Sequence, residues 1–453
     1  MNKKFLLLFI AFLAIVGFAV GGVTLSQKKT EPCPTGCNAI VIAVDTLSAK
    51  HTKMDGYERD TMPRIEAFFA DDFIFEEAYS VSPWTLPSFS SMYFSDLPNQ
   101  ISFSDLRSRA NLFSELRKNN YTIGAILHPF NIFIMDGIYQ PFQEDEKVLS
   151  LDTYTKAAEK LTDLQRKGTP YLLWLHTFEV HDPFAPEDPY NSYFQTIEGY
   201  ENISFYDLRA ANKNLEPDPE RDAAYALRYD QGIASLDDRL GSFLEGLSQE
   251  VLDSTVIIVT SDHGEAFGEH GKVWHANSLY EEELHVPLYI RVPGVTGRKI
   301  SEPVSLIDLT PTIFSFTQTD KPDAFKGDSL IPLLHGETRE EKPLMFVNGK
   351  SFFMHNMDYS PGVLPPATLK EVGADGTNRP IIDMDAFGAR YGSLKVISHV
   401  VRDQQIPSVD VYNLSTDPGE QSPIDIPHTE LPHQLKDALL SIFWRSASST
   451  RSQ

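Results

Sequence analysis

The sequence predicts an α/β protein with a mostly parallel sheet sandwiched by helices and a small α+β subdomain at its C-terminal end. Continuous apolar runs that are rich in β-branched residues are typical of strands buried on both faces. Amphipathic helical patterns separate these runs, and this alternation favours a parallel sheet covered on both sides. Ligands of such sheets bind beyond the carboxyl ends of the strands, so residues that follow the strands are the first candidates for a functional site.

The predicted strands of the main domain, each a short apolar run, are 38–44, 121–127, 171–175 and 255–260. The predicted helices, in which apolar residues recur every three or four positions, lie within 106–116, 157–164 and 229–247. Strands and helices therefore alternate along most of the chain, as the predicted fold class requires.

A different pattern begins after about residue 342. The short segments MFVNGKSFFMHNM, SLKVISHVV and SVDVYNL predict a small antiparallel sheet, and 431–444 predicts a closing helix. We therefore expect a main domain over 38–342 and a C-terminal subdomain over 343–453.

The composition of the 453-residue chain is that of a globular protein, with 42% hydrophobic and 23% charged residues. Lys and Arg number 39 against 63 Asp and Glu, which gives a formal net charge of −24 at pH 7. This acidic balance argues against a nucleic acid or an anionic membrane surface as the main partner. An anionic substrate would therefore need a local positive site, such as a metal ion or a cluster of His and Lys.

Residues 1–27 have the pattern of an export segment. Lys3 and Lys4 precede an uncharged apolar run over 5–25, and about 20 such residues suffice to cross a bilayer. Small residues near the end of the run offer a cleavage site, so a signal peptide and an uncleaved membrane anchor are both open alternatives. In either case we expect the rest of the chain to be extracytoplasmic: periplasmic, at the cell surface, or secreted after cleavage.

The two cysteines, Cys33 and Cys37, lie in a short linker over 28–37. Two cysteines are too few for a disulfide-rich scaffold or a cysteine-rich zinc site. For an exported protein, a disulfide that closes the CPTGC loop is the favoured interpretation, and two free thiols are the alternative.

Polar residues follow several of the predicted strands. Asp45 follows the first, His176 and then His181 follow the third, and Asp262 and His263 follow the fourth. A single carboxylate at a strand end is usually a solvated turn residue. Three strands that each deliver such groups to one edge of the sheet favour a functional site.

The segment SPWTLPSFSS predicts the start of a helix, with Thr85 as the N-cap and Pro87 in the first turn. The dipole at a helix N-terminus favours a bound anion. A Thr hydroxyl that also coordinates a metal ion there could attack a phosphate or sulfate ester.

Five blocks of sequence, in order, resemble the sulfatase family of the alkaline phosphatase superfamily. They are NAIVIAVDTLSAKHTKMDGYERDTMPRIEAFFADDFIFEEAYS with VSPWTLPSFSSMY, LLWLHTFEVHDPF, TVIIVTSDHGEAFGEHGKVWHANSLYEEELHVPLYIRVPG, VSLIDLTPTIFSFTQ with GDSLIPLLHGE, and DVYNLSTDPGEQ. The resemblance extends over most of 38–421. It implies the alkaline-phosphatase-like α/β fold and hydrolysis of an anionic ester.

The resemblance also implies one divalent metal ion, held by Asp45, Asp262 and His263, with Thr85 as a further ligand and as the nucleophile. Oxygen and imidazole ligands suit Ca²⁺, Mg²⁺ or Mn²⁺, and Zn²⁺ is an alternative.

Four further residues receive roles from the same resemblance. His181 is expected to contact the anionic oxygens of the ester, and His275 to bind the anion and assist the leaving group. His176 and Lys272 are weaker candidates for substrate binding.

The sequence departs from the family's pattern at the nucleophile. Sulfatases oxidise the Cys or Ser of Cys/Ser-x-Pro-x-Arg to formylglycine, but Thr85 cannot undergo this oxidation, and Phe89 replaces the Arg. Thr46 stands where a second Asp is usual, and Ser48 where an Arg is usual. A Thr nucleophile resembles phosphodiesterases and phosphoglycerol transferases of the same superfamily.

Three functions are therefore open: hydrolysis of a sulfate or phosphate ester, transfer of a phosphoryl-linked headgroup, and a sulfatase-like binding protein without catalysis. An ester on Thr has no route through an aldehyde, so we expect phosphodiesters or phosphonate-like esters to be preferred over aryl sulfates.

Overall fold

The computed structural model describes residues 36–101, 105–129, 137–182, 186, 188–194, 197–198, 218–348, 370–372, 378–380, 385–400, 408–427 and 430–449. The predicted export segment over 1–27 and Cys33 lie outside these residues. Cys37 is completely buried and disulfide-bonded. Within the described ranges, every helix is too short or too polar to cross a membrane.

A nine-stranded sheet forms the centre of the main domain. The strands of this domain are β1 (Asn38–Val44), β2 (Phe73–Tyr79), β3 (Thr122–Leu127), β4 (Lys147–Leu149), β5 (Tyr171–Thr177), β6 (Thr255–Ser261), β7 (Ala266–Phe267), β8 (Val273–Trp274), β9 (His285–Arg291), β10 (Lys299–Ile300) and β11 (Val304–Ser305). The sheet order is β10-β2-β9-β6-β1-β5-β3-β4, with β11 also paired to β2. Only β9 runs antiparallel to its neighbours among the described strands of this sheet, so the predicted mostly parallel sheet is confirmed. Strands β7 and β8 form a separate antiparallel ribbon.

Helices cover both faces of this sheet. They are α1 (Pro63–Phe68), α2 (Thr85–Phe94), α3 (Asp105–Ser108), α4 (Leu112–Lys118), α5 (Thr153–Lys167), α6 (Pro219–Glu245), α7 (Gln249–Ser254), α8 (Glu281–Leu284), α9 (Leu309–Phe316) and α10 (Ile331–Leu334). Alternate residues of β1 point to opposite faces: Val41 packs with α2, α4 and α9, and Ile42 packs with α1, α5 and α6. These two apolar layers explain why the strand reads as one continuous apolar run.

The structure corrects two local predictions in this domain. The helical pattern over 106–116 is split into α3 and α4, because Asn111 forms a capping box with Ser114 and begins a new helix. Strand β5 continues to Thr177, so His176 lies within the strand and does not follow it.

The C-terminal subdomain has the predicted antiparallel sheet and closing helix. Its elements are β12 (Leu344–Val347), β13 (Lys370–Val372), β14 (Asn378–Pro380), β15 (Asp385–Tyr391), β16 (Leu394–Val400), β17 (Ser408–Asn413) and α11 (His433–Ser449). The four-stranded sheet has the order β12-β15-β16-β17, and β13 pairs with β14. One face packs against α11 through Leu435, and the other face packs against the main domain through Phe346 and Ile397.

Candidate active site

Strands β1 and β6 bring Asp45, Asp262 and His263 together. The two strands are parallel neighbours in which Val44 is aligned with Ser261, so the residues that follow them emerge side by side. All three side chains are completely buried. One ligand atom from each residue lies within 4.8 Å of the other two, which is the spacing expected of a metal-binding cluster.

Two carboxylate oxygens in this cluster have no hydrogen-bond partner among the described residues: Asp45 Oδ1 and Asp262 Oδ2. They lie 3.8 Å and 3.4 Å from His263 Nε2. Buried carboxylate oxygens normally have partners, so this pair fits a cation that binds both. The chemistry of the set, two carboxylates and an imidazole, fits a divalent metal ion.

The two carboxyl groups differ in their pKa. Burial raises the pKa of Asp262 well above its ordinary value, and the nearby Asp45 adds to this rise. Burial acts in the same direction on Asp45, but His181 and two further histidines outweigh it and hold the pKa of Asp45 below its ordinary value. The raised pKa means that Asp262 tends to keep a proton when no cation is bound. A bound cation can replace that proton.

The ring of His263 is held in the orientation that a metal ligand needs. Its Nδ1 lies 2.9 Å from the carbonyl oxygen of Gly264, to which it donates. The neutral ring therefore carries its proton on Nδ1 and presents the lone pair of Nε2 to Asp45 and Asp262. Burial lowers the pKa of His263 to about 4, which keeps the ring neutral.

Thr85 is the first residue of α2, and Trp84 occupies the N-cap position in an extended conformation. The predicted N-cap role of Thr85 is therefore wrong, because its backbone is already helical and no side chain caps this helix. Its hydroxyl faces the cluster instead, with Oγ1 3.3 Å from His263 Nε2. One turn later, Ser88 donates from Oγ to the carbonyl oxygen of Asp262 at 2.5 Å, which fixes the helix against β6.

His176 lies behind Asp45. It sits on β5 opposite Ala43 of β1 and is completely buried. Its Nε2 donates to Oδ2 of Asp45, a candidate metal ligand, at 2.9 Å, and its Nδ1 lies 3.4 Å from the hydroxyl oxygen of Tyr139. The ring of Phe89, which replaces the family's Arg, packs edge-on against His176 at 4.4 Å between centroids. This arrangement places His176 where it can orient Asp45, and its expected place in substrate binding remains a prediction.

Thr46, where the resemblance places a second Asp, has a different use. Its φ of 63° is in the left-handed region, which is rare for a β-branched residue. In this conformation its backbone N–H donates to Asp262 Oδ1 at 3.1 Å, and its hydroxyl donates to the carbonyl oxygen of Val180 at 2.9 Å. The strained backbone thus orients a candidate ligand, as is common at functional sites.

His181 and His275 lie beside the cluster. The Nε2 of His181 is 4.0 Å from Asp45 Oδ1, and the ring of His275 is 4.5 Å from that of His263. The two imidazole rings are 5.4 Å apart. The structure therefore brings together both histidines for which the resemblance implies catalytic roles.

Glu265 is a site residue that the sequence reasoning missed. It is completely buried, and both of its carboxylate oxygens lie 3.2 Å from His275 Nδ1. The β7–β8 ribbon explains this contact, because Ala266 pairs with Trp274 and the preceding and following residues become neighbours. Burial, with Glu283 as the next contributor, raises the pKa of Glu265 well above its ordinary value. The short AF and VW segments around GEHGK are the only signal of this ribbon in the sequence.

Among the described residues, no hydrogen bond or ion pair joins the Lys272 side chain to the cluster. Lys272 lies at the turn of the β7–β8 ribbon and is partly buried. Its described hydrogen bonds come from the backbone, which donates to Glu269 at 2.8 Å and accepts from Gly268 at 2.7 Å. Its place in substrate binding remains a prediction.

Comparisons of the sequence with known proteins identify relatives. A family model described as Sulfatase matches residues 37–319. Mouse arylsulfatase K is 24% identical in a match that covers 96% of this chain and 84% of the mouse protein. The uncharacterized sulfatase YidJ of Escherichia coli strain K12 is 28% identical, but that match covers 39% of this chain and 37% of YidJ. The chain thus aligns with just over a third of YidJ and with most of the mouse protein.

Comparisons of the structure identify the same fold in solved proteins. The phosphonate monoester hydrolase of Agrobacterium radiobacter has a TM-score of 0.68 at 17% identity, over 90% of this chain and 96% of that one. A protein solved with its substrate D-glucosamine-2-N,6-O-disulfate has a TM-score of 0.63 at 18% identity, over 91% and 98% of the two chains. At these identities the likeness shows the shared fold.

Proposed function

Because the chain belongs to the sulfatase family of ester hydrolases, we propose that it hydrolyses an anionic sulfate or phosphate ester with Thr85 as the nucleophile. The arrangement around His263 Nε2 supports this most directly. The Thr85 hydroxyl lies 3.3 Å from that nitrogen, and the two carboxylate oxygens without hydrogen-bond partners lie 3.4 Å and 3.8 Å from it.

The proposed metal ligands are Asp45, Thr85, Asp262 and His263. A divalent cation bound there supplies positive charge that offsets the two carboxylates and favours the deprotonated form of the Thr85 hydroxyl. Ca²⁺, Mg²⁺ and Mn²⁺ are the ions that best suit the oxygen ligands. His176 holds Asp45 from behind by its 2.9 Å hydrogen bond, as second-sphere partners of metal ligands commonly do.

The two neighbouring histidines have separate proposed roles. His181 binds an anionic oxygen of the ester in its doubly protonated form: its Nδ1 donates to the carbonyl oxygen of Asp182 at 2.8 Å, and its Nε2–H faces the site. His275 protonates the departing alcohol oxygen. Because Nδ1 of His275 faces Glu265, the opposite nitrogen is the one that can transfer this proton.

The breakdown of the covalent intermediate on Thr85 determines which class of ester the enzyme should prefer. Attack by Thr85 places the sulfuryl or phosphoryl group on its oxygen and expels the alcohol. Water must then attack sulfur or phosphorus to release the group, since Thr has no route through an aldehyde. In-line attack on phosphorus is common enzymatic chemistry, so we propose that phosphodiesters or phosphonate monoesters are preferred over aryl sulfates. The fold neighbours include proteins that act on each class, so the fold itself accommodates both.

Transfer of the phosphoryl-linked group to an acceptor other than water is the second candidate function, and Thr85 in place of the family's Cys or Ser is the observation that favours it. A purely binding role is the third. We place the enzyme outside the cytoplasm, either anchored by the apolar run over 5–25 or secreted after its cleavage.

The test is a panel of an aryl sulfate, a phosphate monoester, a phosphodiester and a phosphonate monoester, each assayed with Ca²⁺, Mg²⁺, Mn²⁺ and Zn²⁺. We expect the highest kcat/KM with the phosphodiester or the phosphonate ester. Thr85→Ala should lower kcat by ~10³-fold or more and still bind metal through the remaining three ligands.

Thr310→Ala is the matched control, because Thr310 is also buried in the first turn of a helix, where it donates to the carbonyl oxygen of Met92. This control should keep wild-type turnover. Near-wild-type activity in Thr85→Ala would place the nucleophile elsewhere, and a clear preference for aryl sulfates would contradict the proposed ester class. If neither the wild type nor Thr85→Ala hydrolyses any of the esters, the result would favour the role of a binding protein without catalysis.

A further inference from the structure

Asn348, the residue that follows β12, connects the C-terminal subdomain to both sides of the proposed active site. It is completely buried. Its backbone carbonyl accepts a hydrogen bond from Trp84 Nε1 at 3.2 Å, and its Nδ2 donates to the carbonyl oxygen of Ala276 at 3.3 Å. Trp84 and Ala276 are the sequence neighbours of Thr85 and His275. Asn348 therefore bridges the segments that carry the proposed nucleophile and the proposed proton donor.

A direct hydrogen bond completes this bridge. The backbone N–H of Ala276 donates to the carbonyl oxygen of Pro83 at 2.8 Å. Backbone hydrogen bonds also hold the end of β12 in place. The N–H of Val347 donates to the carbonyl oxygen of Val81 at 2.8 Å, and the N–H of Asn348 donates to that of Ala386 at 3.0 Å. Three chain segments are thus joined next to the site by bonds that all involve backbone atoms.

The segment around His275 needs such support. Trp274 has a φ of 72° and Ala276 a φ of 65°, so a left-handed residue other than glycine stands on each side of His275. Such conformations are unfavourable and persist only where the surrounding structure holds them. The described bonds of Ala276 to Pro83 and to Asn348 are placed to do this.

We propose that Asn348 is a positioning residue that holds the strained turn of His275 against the N-terminus of α2 and so sets the geometry between His275 and Thr85. The inference rests on the proposed roles of these two residues. The amide acts through its donor: Nδ2 makes the bond to Ala276, whereas Oδ1 has no hydrogen-bond partner among the described residues.

Asn348→Asp tests this donor without changing the shape of the side chain. A carboxylate cannot donate to the carbonyl oxygen of Ala276 and repels it, but a protonated carboxyl group can donate. We expect kcat at neutral pH to fall by about 10- to 100-fold, with a smaller change in KM and unchanged metal content. Relative to wild type at each pH, the loss should shrink as the pH falls and the new carboxyl group becomes protonated.

Asn99→Asp is the control, because Asn99 is another buried asparagine, 8% exposed, in the turn over Pro98–Gln100. Its ratio of kcat to the wild-type value should not vary with pH. Trp84→Phe removes only the indole N–H that donates to Asn348 and should lower kcat by a smaller factor than Asn348→Asp.

A constant ratio across the pH range in Asn348→Asp, or wild-type kcat in both Asn348→Asp and Trp84→Phe, would overturn the proposal. If Asn348→Asp does not fold, Trp84→Phe decides alone: a lower kcat with unchanged metal content supports the proposal, and an unchanged kcat overturns it. Thr85→Ala distinguishes this failure from failure of the proposed function, since it should be inactive at every pH whatever Asn348 does.

Discussion

Two regions of this protein bury acidic side chains, and they treat the charge in different ways. At the interface of the domains, Lys395 is completely buried and lies 2.8 Å from Glu281 Oε1 and 2.9 Å from Glu420 Oε1. In the candidate active site, Asp45 Oδ1 and Asp262 Oδ2 also have no hydrogen-bond partner among the described residues, but the basic groups nearest to them are the imidazoles of His181 and His263. A buried lysine pairs with the carboxylates of the first region, whereas the described ion-pair partners of the second are all histidines. Burial of carboxylates alone therefore does not indicate function; the type of counter-charge beside them is the better guide.

We call Lys395, Glu281 and Glu420 the interface cluster; it carries one carboxylate more than Lys395 can neutralise. Burial tends to raise the pKa of Glu281, but Lys395 leads the groups that outweigh it and lower that pKa to about 2. Burial, together with the charge of Glu281, raises the pKa of Glu420 to about 7 despite the nearby Lys395. Near neutral pH, a proton on Glu420 thus offsets the extra negative charge of the interface cluster. In the candidate active site, we propose that a metal ion offsets it.

The largest effect on activity should come from removing a proposed metal ligand of the candidate active site. Asp262→Ala should abolish bound metal, measured by elemental analysis, and lower kcat by ~10³-fold or more, because the cluster loses a carboxylate ligand. Added metal at about 100 times its Kd should stabilise the wild type by ~2.7 kcal/mol in thermal unfolding and leave Asp262→Ala unchanged. Unchanged metal stoichiometry in Asp262→Ala would refute the assignment of Asp262 as a metal ligand. It would also refute the idea that a metal ion offsets the buried carboxylates of this site.

A smaller effect, on stability alone, should follow from removing the cation of the interface cluster. Lys395→Met leaves two buried carboxylates without their counter-charge and should lower the free energy of unfolding by ~3–5 kcal/mol. Metal content should not change. Lys118→Met is the control, since the Lys118 side chain is 65% exposed, so solvent screens its ion pair with the buried Glu115, and a pair with such an exposed partner contributes about 1 kcal/mol or less. Equal losses in the two variants, measured by urea unfolding, would show that burial of the cluster has no special role.

The smallest effect should be a pH dependence that Glu420 contributes. Its pKa is about 7 in the folded chain and 4.5 as an ordinary carboxyl group, so between these values the folded state binds more protons than the unfolded state. The stabilisation by this proton is fully present below pH 4.5 and is lost as the pH rises through 7, by at most about 1.4 kcal/mol per pH unit.

Glu420→Gln cannot titrate and should remove this slope from the pH dependence of urea unfolding. Glu144→Gln, at a side chain that is 91% exposed, should keep the wild-type slope. The same slope in Glu420→Gln and in wild type would assign the proton to another group.

The sequence predicted the parts of this molecule that local patterns determine. The apolar runs located β1, β3, β5 and β6, and the residues after β1 and β6 proved to be neighbours because parallel strands end at one edge. The direction of β9 was beyond prediction, because HVPLYIR has the same pattern whichever way the strand runs. The end of β5 was misjudged, since His176 is polar but points at Asp45 from within the sheet.

The contacts that were missed all depend on tertiary structure. Glu265 meets His275 only because a two-residue ribbon aligns them, and Asn348 comes from a different subdomain. No periodicity in the sequence records either contact. The resemblance to sulfatases supplied a role for His275 but none for the groups that hold it in place.

If Thr85 at the start of α2 is the nucleophile, as we propose, it also determines how the protein becomes active in a cell. A sulfatase that depends on formylglycine leaves the ribosome with an inert Cys or Ser and requires a second enzyme to convert it. Here the proposed nucleophile is encoded directly, so folding and uptake of the proposed metal ion would complete the site. Protein produced in a host that lacks the modifying enzyme should therefore have the same specific activity as protein from its own cells, and its active fraction should depend on metal supply alone.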